Sequence, residues 1–256
     1  MIIKTIQWNI GGAIIREEGS PVDDQKSYRI NDLAYIVSTI KNYNPDIITF
    51  QETHENANLV QAKAIAEELS YNYYFNDIYD KSHLEDGQGL GQSIISRFPL
   101  SNHIFEFFLN PKLELIRPNG ERWLTHNKGV SSVDAILSNG LNLTVKTFHT
   151  IPFRKYGVDP LGQKMSEAMR DMNNKIFTDS DLTLIQADSN YDDSSISKFL
   201  PKLFENGFQE IINNEPTTPK GRKYDHVIYK GLRLIKSEVI SSALTDHYPI
   251  YSEFEI

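Results

Sequence analysis

Apolar and polar positions along the chain alternate between two periods. Ile2 to Asn9 is rich in β-branched residues and halts at Gly11-Gly12, which predicts a strand followed by a turn. From Tyr28 to Tyr43, apolar residues at Ile30, Leu33, Ala34, Val37 and Ile40 keep the helical spacing. Asn44-Pro45 stops that helix, because the residue before proline is disfavoured in the helical region. DIITFQE then predicts a buried strand, and NANLVQAKAIAEEL returns to the helical period through Leu59, Ala62, Ala66 and Leu69.

The middle of the chain is β-rich. QSIISRFPL, VSSVDAIL and LNLTVKTFH predict strands, and Asn139-Gly140 between the last two is a strong hairpin signal. A further helix fits Gly162 to Phe177, with Met165, Met169, Met172 and Ile176 on one stripe that reads as core. DLTLIQAD, KYDHVIY, GLRLIKSEV and PIYSEFEI complete the strands, with a short helix near Ser194 to Leu203. The longest turn-like stretches, Gly12 to Ser27 and Ile211 to Lys223, read as loops within one domain covering residues 1–256. Many strands with few helices predict helices packed outside sheets.

Composition changes this picture little. An apolar fraction of 39% with 23% charged residues is that of a globular chain. The absence of cysteine excludes a disulfide framework, thiolate zinc and a cysteine nucleophile. No apolar run approaches the roughly 20 residues of a membrane span. The start at Met1, without a basic n-region, reads as cytoplasmic, although a chain trimmed of a signal peptide would look the same. A net charge of −8 lowers the expectation of tight nonspecific nucleic-acid binding, and it fits a site rich in carboxylates that hold a cation.

The informative regularity is where polar residues fall. Strands end at Asn9, Glu52, His149 and Asp188-Ser189-Asn190; Asp225 opens another strand, and Asp246-His247 opens the last. Each has an ordinary reading. Asn9 fits a turn beside Gly-Gly, Glu52 a helix cap, His149 a satisfied core histidine, Asp188 with Asn190 an Asx turn, and Asp246 a cap or solvated acid. If these ends converge on one sheet edge, they build a pocket of carboxyl groups, imidazoles and amides.

The ordered set Trp8-Asn9, Gln51-Glu52, Phe148-His149, Ala187-Asp188-Ser189-Asn190, Tyr224-Asp225 and Thr245-Asp246-His247 resembles the endonuclease/exonuclease/phosphatase superfamily over essentially the whole chain. GLGQSIISRFPL also looks like that family's glycine-strand-Ser-Arg-Pro element. The resemblance implies an α/β (α+β) four-layer sandwich: two packed, mostly antiparallel β-sheets with helices on the outer faces. It also implies a magnesium-dependent hydrolase of phosphoester bonds, with manganese as the other candidate ion. By resemblance, Glu52 is the principal metal carboxylate, with Asn9 and Asp246 near the same ion. His149 and His247 would contact the scissile phosphate, and Asp225 would orient His247. Asp188 would position or deprotonate the attacking water, and Asn190 would hold phosphate or nucleophile; whether Asp188 or a histidine is the base stays open.

Two basic pairs, Arg154-Lys155 and Arg222-Lys223, could meet phosphates outside the reaction centre or be solvated loop charges. Departures from the family's pattern are Ile10-Gly11-Gly12, where repair members carry an acid shortly after the asparagine, the missing aromatic at Ser189, and Thr245 for serine. They weaken a transfer of abasic-site repair. The resulting expectation is a monomeric phosphodiesterase, with nuclease as leading subclass. A phosphatase or lipid (sphingomyelinase-like) phosphodiesterase using the same centre is the rival enzyme, and a catalytically inactive binding module the rival of another class. Adjacent strand residues point to opposite faces, so Asp246 and His247 can serve one site only if the entry to the last strand is irregular.

Overall fold

Strand pairing in the computed structural model, which describes residues 1–118, 120–193 and 195–256, sorts the elements into two large sheets. The first half of the chain supplies β1 (Ile2–Asn9), β2 (Ile14–Arg16), β3 (Tyr28–Asn31), α1 (Leu33–Tyr43), β4 (Ile47–Glu55), α2 (Gln61–Leu69), β5 (Tyr73–Lys81), β6 (Gly89–Ser96) and β7 (Leu100–Phe107). β8 (Glu114–Ile116), β9 (Arg122–Leu124), β10 (Gly129–Ile136), β11 (Asn142–His149) and α3 (Ser166–Ile176) follow. The chain closes with β12 (Thr183–Asp188), α4 (Pro201–Phe204), β13 (Gln209–Glu210), β14 (Asp225–Lys230), β15 (Arg233–Val239) and β16 (Ile250–Glu255).

The first sheet has the order β15-β16-β1-β4-β6-β5 and the second β13-β14-β12-β11-β10-β7. Each is antiparallel except for one central pair: β1 with β4, and β11 with β12. A parallel neighbour needs a crossover, and the helical crossovers α1 and α3 each cover the outer face of their own sheet. Three apolar layers result. Trp8, Ile48 and Phe50 pack under α1 and α2; Phe148, Ile185 and Ile228 pack under α3 and α4; and Ile47, Ile94, Val145, Leu184, Val227 and Phe254 fill the space between the sheets. This is the four-layer sandwich. No helix among the described residues is long and apolar enough to cross a membrane.

The methionine stripe is core, as its spacing predicts: Met165, Met169, Met172 and Ile176 are buried against the second sheet. Asn139-Gly140 turns the β10–β11 hairpin, with Gly140 at φ +83°. Several boundaries move. The first helix starts at Leu33 and not Tyr28, because Asp32 caps it by accepting from the Tyr35 N–H at 2.8 Å. Tyr28–Asn31 instead pairs with Ile14–Arg16, inside the stretch expected to be a loop. Of the short helix expected near Ser194 to Leu203, Ser194 lies outside the described residues; a 3₁₀ turn at Ile196–Lys198 and α4 occupy the rest. The strands β5 and β7, absent from the expectation, are both sheet edges. Such strands keep polar side chains toward water and lose the apolar alternation that marks a strand.

Candidate active site

Three ionisable side chains stand in one register row of the second sheet. His149 on β11 is paired with Asp188 on β12, which is paired in turn with Asp225 on β14. A strand row places its Cα atoms side by side, so residues far apart in sequence become neighbours. In the first sheet Asn9, ending β1, lies beside Gln51 on β4. Amides tie the two rows together. Asn9 Nδ2 donates to Asp188 Oδ2 at 2.9 Å, Gln7 Nε2 to Asp225 Oδ1 at 2.9 Å, and Gln51 Nε2 to Thr147 Oγ1 at 2.8 Å.

Glu52 reaches this pocket through a bulge. The β4–β6 register shifts between Gln51 and Thr53, and Glu52 takes φ +56°, an uncommon conformation for a side chain of this type. A second bulge on the other side of β6, between Ile78 and Asp80, turns Tyr79 inward. The β6 glycines make room for both. A Cβ on Gly91 would lie 2.5 Å from the Asp77 carbonyl, and one on Gly89 would lie 2.8 Å from the Ile78 side chain. Gly91→Ala is therefore expected to cost on the order of 1–3 kcal/mol, the range for overpacking, read as a fall in the denaturant midpoint. An unchanged midpoint would show that β5 yields freely.

Asp246 and His247 precede β16 in a run of bends, residues 244–247, so both avoid strand alternation. His247 Nδ1 sits 2.8 Å from Asp225 Oδ2, and its Nε2 lies 3.7 Å from Asp188 Oδ2. Asp188 is held from two sides, since the Asn190 N–H donates to its Oδ1 at 2.9 Å while Asn9 holds Oδ2. The Asp246 carboxylate runs past Gly11, whose φ is +51° and whose Cβ would come within 3.2 Å of Asp246 Oδ1. The missing side chain at Gly11 thus gives that carboxylate space.

Charges in this pocket shift one another. Burial, opposed by the Lys128 ammonium and reinforced by Asp246 and Asp188, pushes Glu52 up to about 7. Burial raises Asp188 as well, against the pull of His247. His247 is pulled down by burial, but the Asp225 and Asp188 carboxylates outweigh it and hold the imidazole well above its usual range, as a cation. His149 goes the other way. Burial and the neighbouring Lys128 hold it well below, so it is neutral.

The donor set fits a hard divalent cation. Glu52 and Asp246 offer carboxylate oxygens; Asn9 Oδ1 accepts the Gly11 N–H at 3.0 Å and keeps a second lone pair. Burial first, then the Asp246 and Asp188 charges, raise Glu52, and a cation bound there would relieve that cost. Asp188, Asp225 and His247 also offer ligand atoms within 4.8 Å of one another. Those atoms are already engaged by Asn9, Asn190, Gln7 and each other, which suits proton handling better than chelation.

Of the cations expected near phosphate, Arg154 lies 3.4 Å from Asp193, Arg222 pairs with Asp192 at 3.0 Å, and Lys223 Nζ donates to the Asn213 carbonyl at 2.8 Å. Lys155 Nζ lies 4.3 Å over the Trp123 ring and senses the Glu52 carboxylate. His226 faces away from Asp225, with Nδ1 2.8 Å from Glu210. Three pocket residues escaped the sequence reading: Gln7, Tyr79 and Lys128. Lys128 is 4% exposed, its ammonium pulled down to about 8 by burial against the opposing Glu52 and Asp188 charges. Glycines inside the β6 pattern were the one signal of the bulge that delivers Tyr79.

Comparison with known proteins identifies the family and the fold. A family model described as Endonuclease/Exonuclease/phosphatase family matches residues 6–247. A UPF0294 protein of Vibrio cholerae serotype O1 is 27% identical over 142 residues, covering 53% of this chain and 48% of the relative. The match thus spans about half the length of that curated relative. An endonuclease/exonuclease/phosphatase structure from Beutenbergia cavernae superposes with a TM-score of 0.75 at 15% identity, over 100% of this chain and 72% of that one. The human Nocturnin catalytic domain, solved with a bound sulfate anion, gives 0.67 at 14% identity, over 99% and 93%. At these identities the two structures establish the shared fold alone.

Proposed function

The chain belongs to the endonuclease/exonuclease/phosphatase family of phosphoester hydrolases, and on that premise we propose that it is a divalent-metal-dependent phosphodiesterase, with nucleic acid as the leading substrate. The observation that carries the reading is Asp188, fixed by Asn9 and Asn190 and facing the charged His247–Asp225 pair across 3.7 Å.

In this reading Asp188 takes a proton from the attacking water, because its raised affinity for protons makes it the better base. The water oxygen attacks phosphorus in line as the bond to the leaving oxygen breaks. His247, already protonated and held by Asp225, donates to a phosphoryl oxygen and cannot be the base. Neutral His149 and the Asn190 amide flank the same phosphoryl group. A magnesium or manganese ion held by Glu52, Asp246 and Asn9 Oδ1 would supply neutralisation of the charge that builds on phosphate oxygens. Lys155 is the basic residue of the two predicted pairs assigned here to a neighbouring phosphate; Arg154, Arg222 and Lys223 serve their own loops. The sulfate in the human Nocturnin domain has the tetrahedral shape of a phosphoryl group.

The neutralised Arg154 and Arg222, with the net charge of −8, favour a second reading with the same centre: a phosphatase or lipid phosphodiesterase that needs no basic track. One panel separates the two. The protein is incubated with bis-p-nitrophenyl phosphate, p-nitrophenyl phosphate, single- and double-stranded DNA, RNA and sphingomyelin, each with magnesium and with EDTA. Cleavage of the diester and of a polynucleotide, abolished by EDTA, is expected. Activity that survives EDTA rejects the metal-dependent mechanism, and cleavage confined to the monoester or the lipid establishes the second reading.

A further inference from the structure

The short hairpin of β8 and β9 carries no residue of the reaction centre, yet it packs against the turn that presents Lys155. The hydroxyl of Tyr156, next in sequence, donates to the Leu124 carbonyl at 3.0 Å. Trp123 is fixed inside the hairpin from several sides. Its indole N–H donates to Glu121 Oε1 at 2.9 Å, the other oxygen of that carboxylate lies 3.3 Å from Arg117 Nη1, and the Arg117 guanidinium carbon stands 3.4 Å from the indole centroid. His83 meets the indole edge-on, with ring centroids 6.4 Å apart. The indole is thus a fixed surface, and Lys155 Nζ rests over it at 4.3 Å.

Charge singles Lys155 out. Arg154 and Arg222 have aspartate partners and Lys223 a backbone carbonyl, whereas Lys155 pairs with no carboxylate among the described residues. Lys220, exposed like Lys155, pairs with none either. Lys155 lies within electrostatic reach of Lys220, Arg117 and Glu52. Two unneutralised ammonium groups beside the centre repel one another, and an anion bound there removes that repulsion. A free lysine side chain also loses much rotamer freedom when it is fixed on a ligand. An aromatic face under the ammonium meets part of that cost beforehand, because the ring attracts the charge and restrains it.

We propose that Trp123 is a positioning residue that holds the Lys155 ammonium beside the centre, where with Lys220 it forms a subsite for the phosphate next to the scissile one. The hairpin then selects substrates with consecutive phosphates, as in a polynucleotide. A monoester or a lipid diester without a second phosphate gains nothing from this subsite. The inference deepens the proposed hydrolase reading and rests on it for the place of the scissile phosphate.

The subsite is tested as binding, apart from turnover. Dissociation constants in magnesium are measured by calorimetry for thymidine 3′,5′-bisphosphate and for the 3′- and 5′-monophosphates of thymidine. Wild type is expected to bind the bisphosphate ~10-fold more tightly than either monophosphate, the scale of one charge-assisted hydrogen bond. Lys155→Met should erase that gap, and Trp123→Leu should shrink it by ~3-fold, the scale of an exposed cation–π contact. Trp123→Phe, which keeps an aromatic face, should shrink it less. Adding Trp123→Leu to Lys155→Met should cost nothing further, because Trp123 acts only through Lys155. Equal affinities in wild type overturn the proposal, and that measurement decides even where the Trp123 variants do not fold. A gap undiminished in Lys155→Met, or in a folded Trp123→Leu protein, overturns it equally. Failure of the hydrolase reading would appear separately, as wild type that cleaves no phosphoester while the affinity gap remains.

Discussion

Asp188→Asn is expected to lower kcat on bis-p-nitrophenyl phosphate by ~10²–10⁴-fold, the contribution of a positioned acid–base group, with little change in KM. The substitution keeps the shape of the side chain and removes the only property that the proposed step uses, its ability to accept a proton. It also presents an amino group where Asn9 Nδ2 and the Asn190 N–H both donate, so one of those bonds becomes a donor facing a donor. Two effects on stability oppose each other. Burial holds the Asp188 carboxyl above its normal range, which means that the ionised form costs the fold free energy at neutral pH. The neutral variant escapes that cost but carries the mismatched donor, so Tm should change little while turnover collapses. Near wild-type turnover would remove Asp188 from the chemistry and reject the proposed step.

The second large effect belongs to Glu52. Its rise from 4.5 to about 7 means that the folded protein holds a proton between those values that the unfolded chain has released. Stability therefore falls as pH climbs through that window and levels off above it. A shift of this size corresponds to roughly 3 kcal/mol at 1.36 kcal/mol per unit. Metal-free Glu52→Gln should consequently be more stable than wild type by about that amount at pH 8, and the two should converge near pH 4. Magnesium reverses the order, because an ion that binds only the folded state adds stability with its concentration. Wild type should gain Tm on addition of the ion and the variant should not. Melting curves from pH 4 to 8, with and without magnesium, measure both claims. A variant that matches wild type at pH 8 without metal would show that Glu52 bears no burial cost. An equal magnesium response would move the ion away from Glu52.

Much of this was legible in the sequence because strand ends are legible. Asn9, His149 and Asp188 each stop an apolar run, and a polar residue at that place has nowhere to go but the edge of the sandwich. Asp225 opens a strand at the same edge for the same reason. Glu52 was legible as the end of a run, although the strand continues past it to Glu55 and only the bulge turns its side chain inward. What could not be read were groups whose placement depends on a partner far away in the chain. Lys128 stands among His126, Asn127 and Gly129, where charge ordinarily means solvent. Its burial follows from Tyr79 and His149 closing over it, 49 and 21 residues away. Tyr79 lies on an edge strand without alternation, and Gln7 looks like one more polar residue in β1 until the second sheet supplies Asp225. The basic pairs were legible as charge, while their aspartate partners, Asp192 and Asp193, lay in another loop.

The division of the pocket between two sheets has a consequence for how the chain acquires activity as it folds. Asn9 and Glu52 belong to the first sheet; His149, Asp188 and Asp225 belong to the second; and Asp246-His247 arrives last, on the loop into β16. Neither sheet alone contains a fraction of the machinery that could work slowly. The glutamine and asparagine amides between the sheets act as latches that close only when both are in place. Because the first sheet joins β1 to β16, the pocket is complete only once both ends of the chain are in place, and recovery of turnover after denaturation reports the whole assembly rather than the β-structure alone.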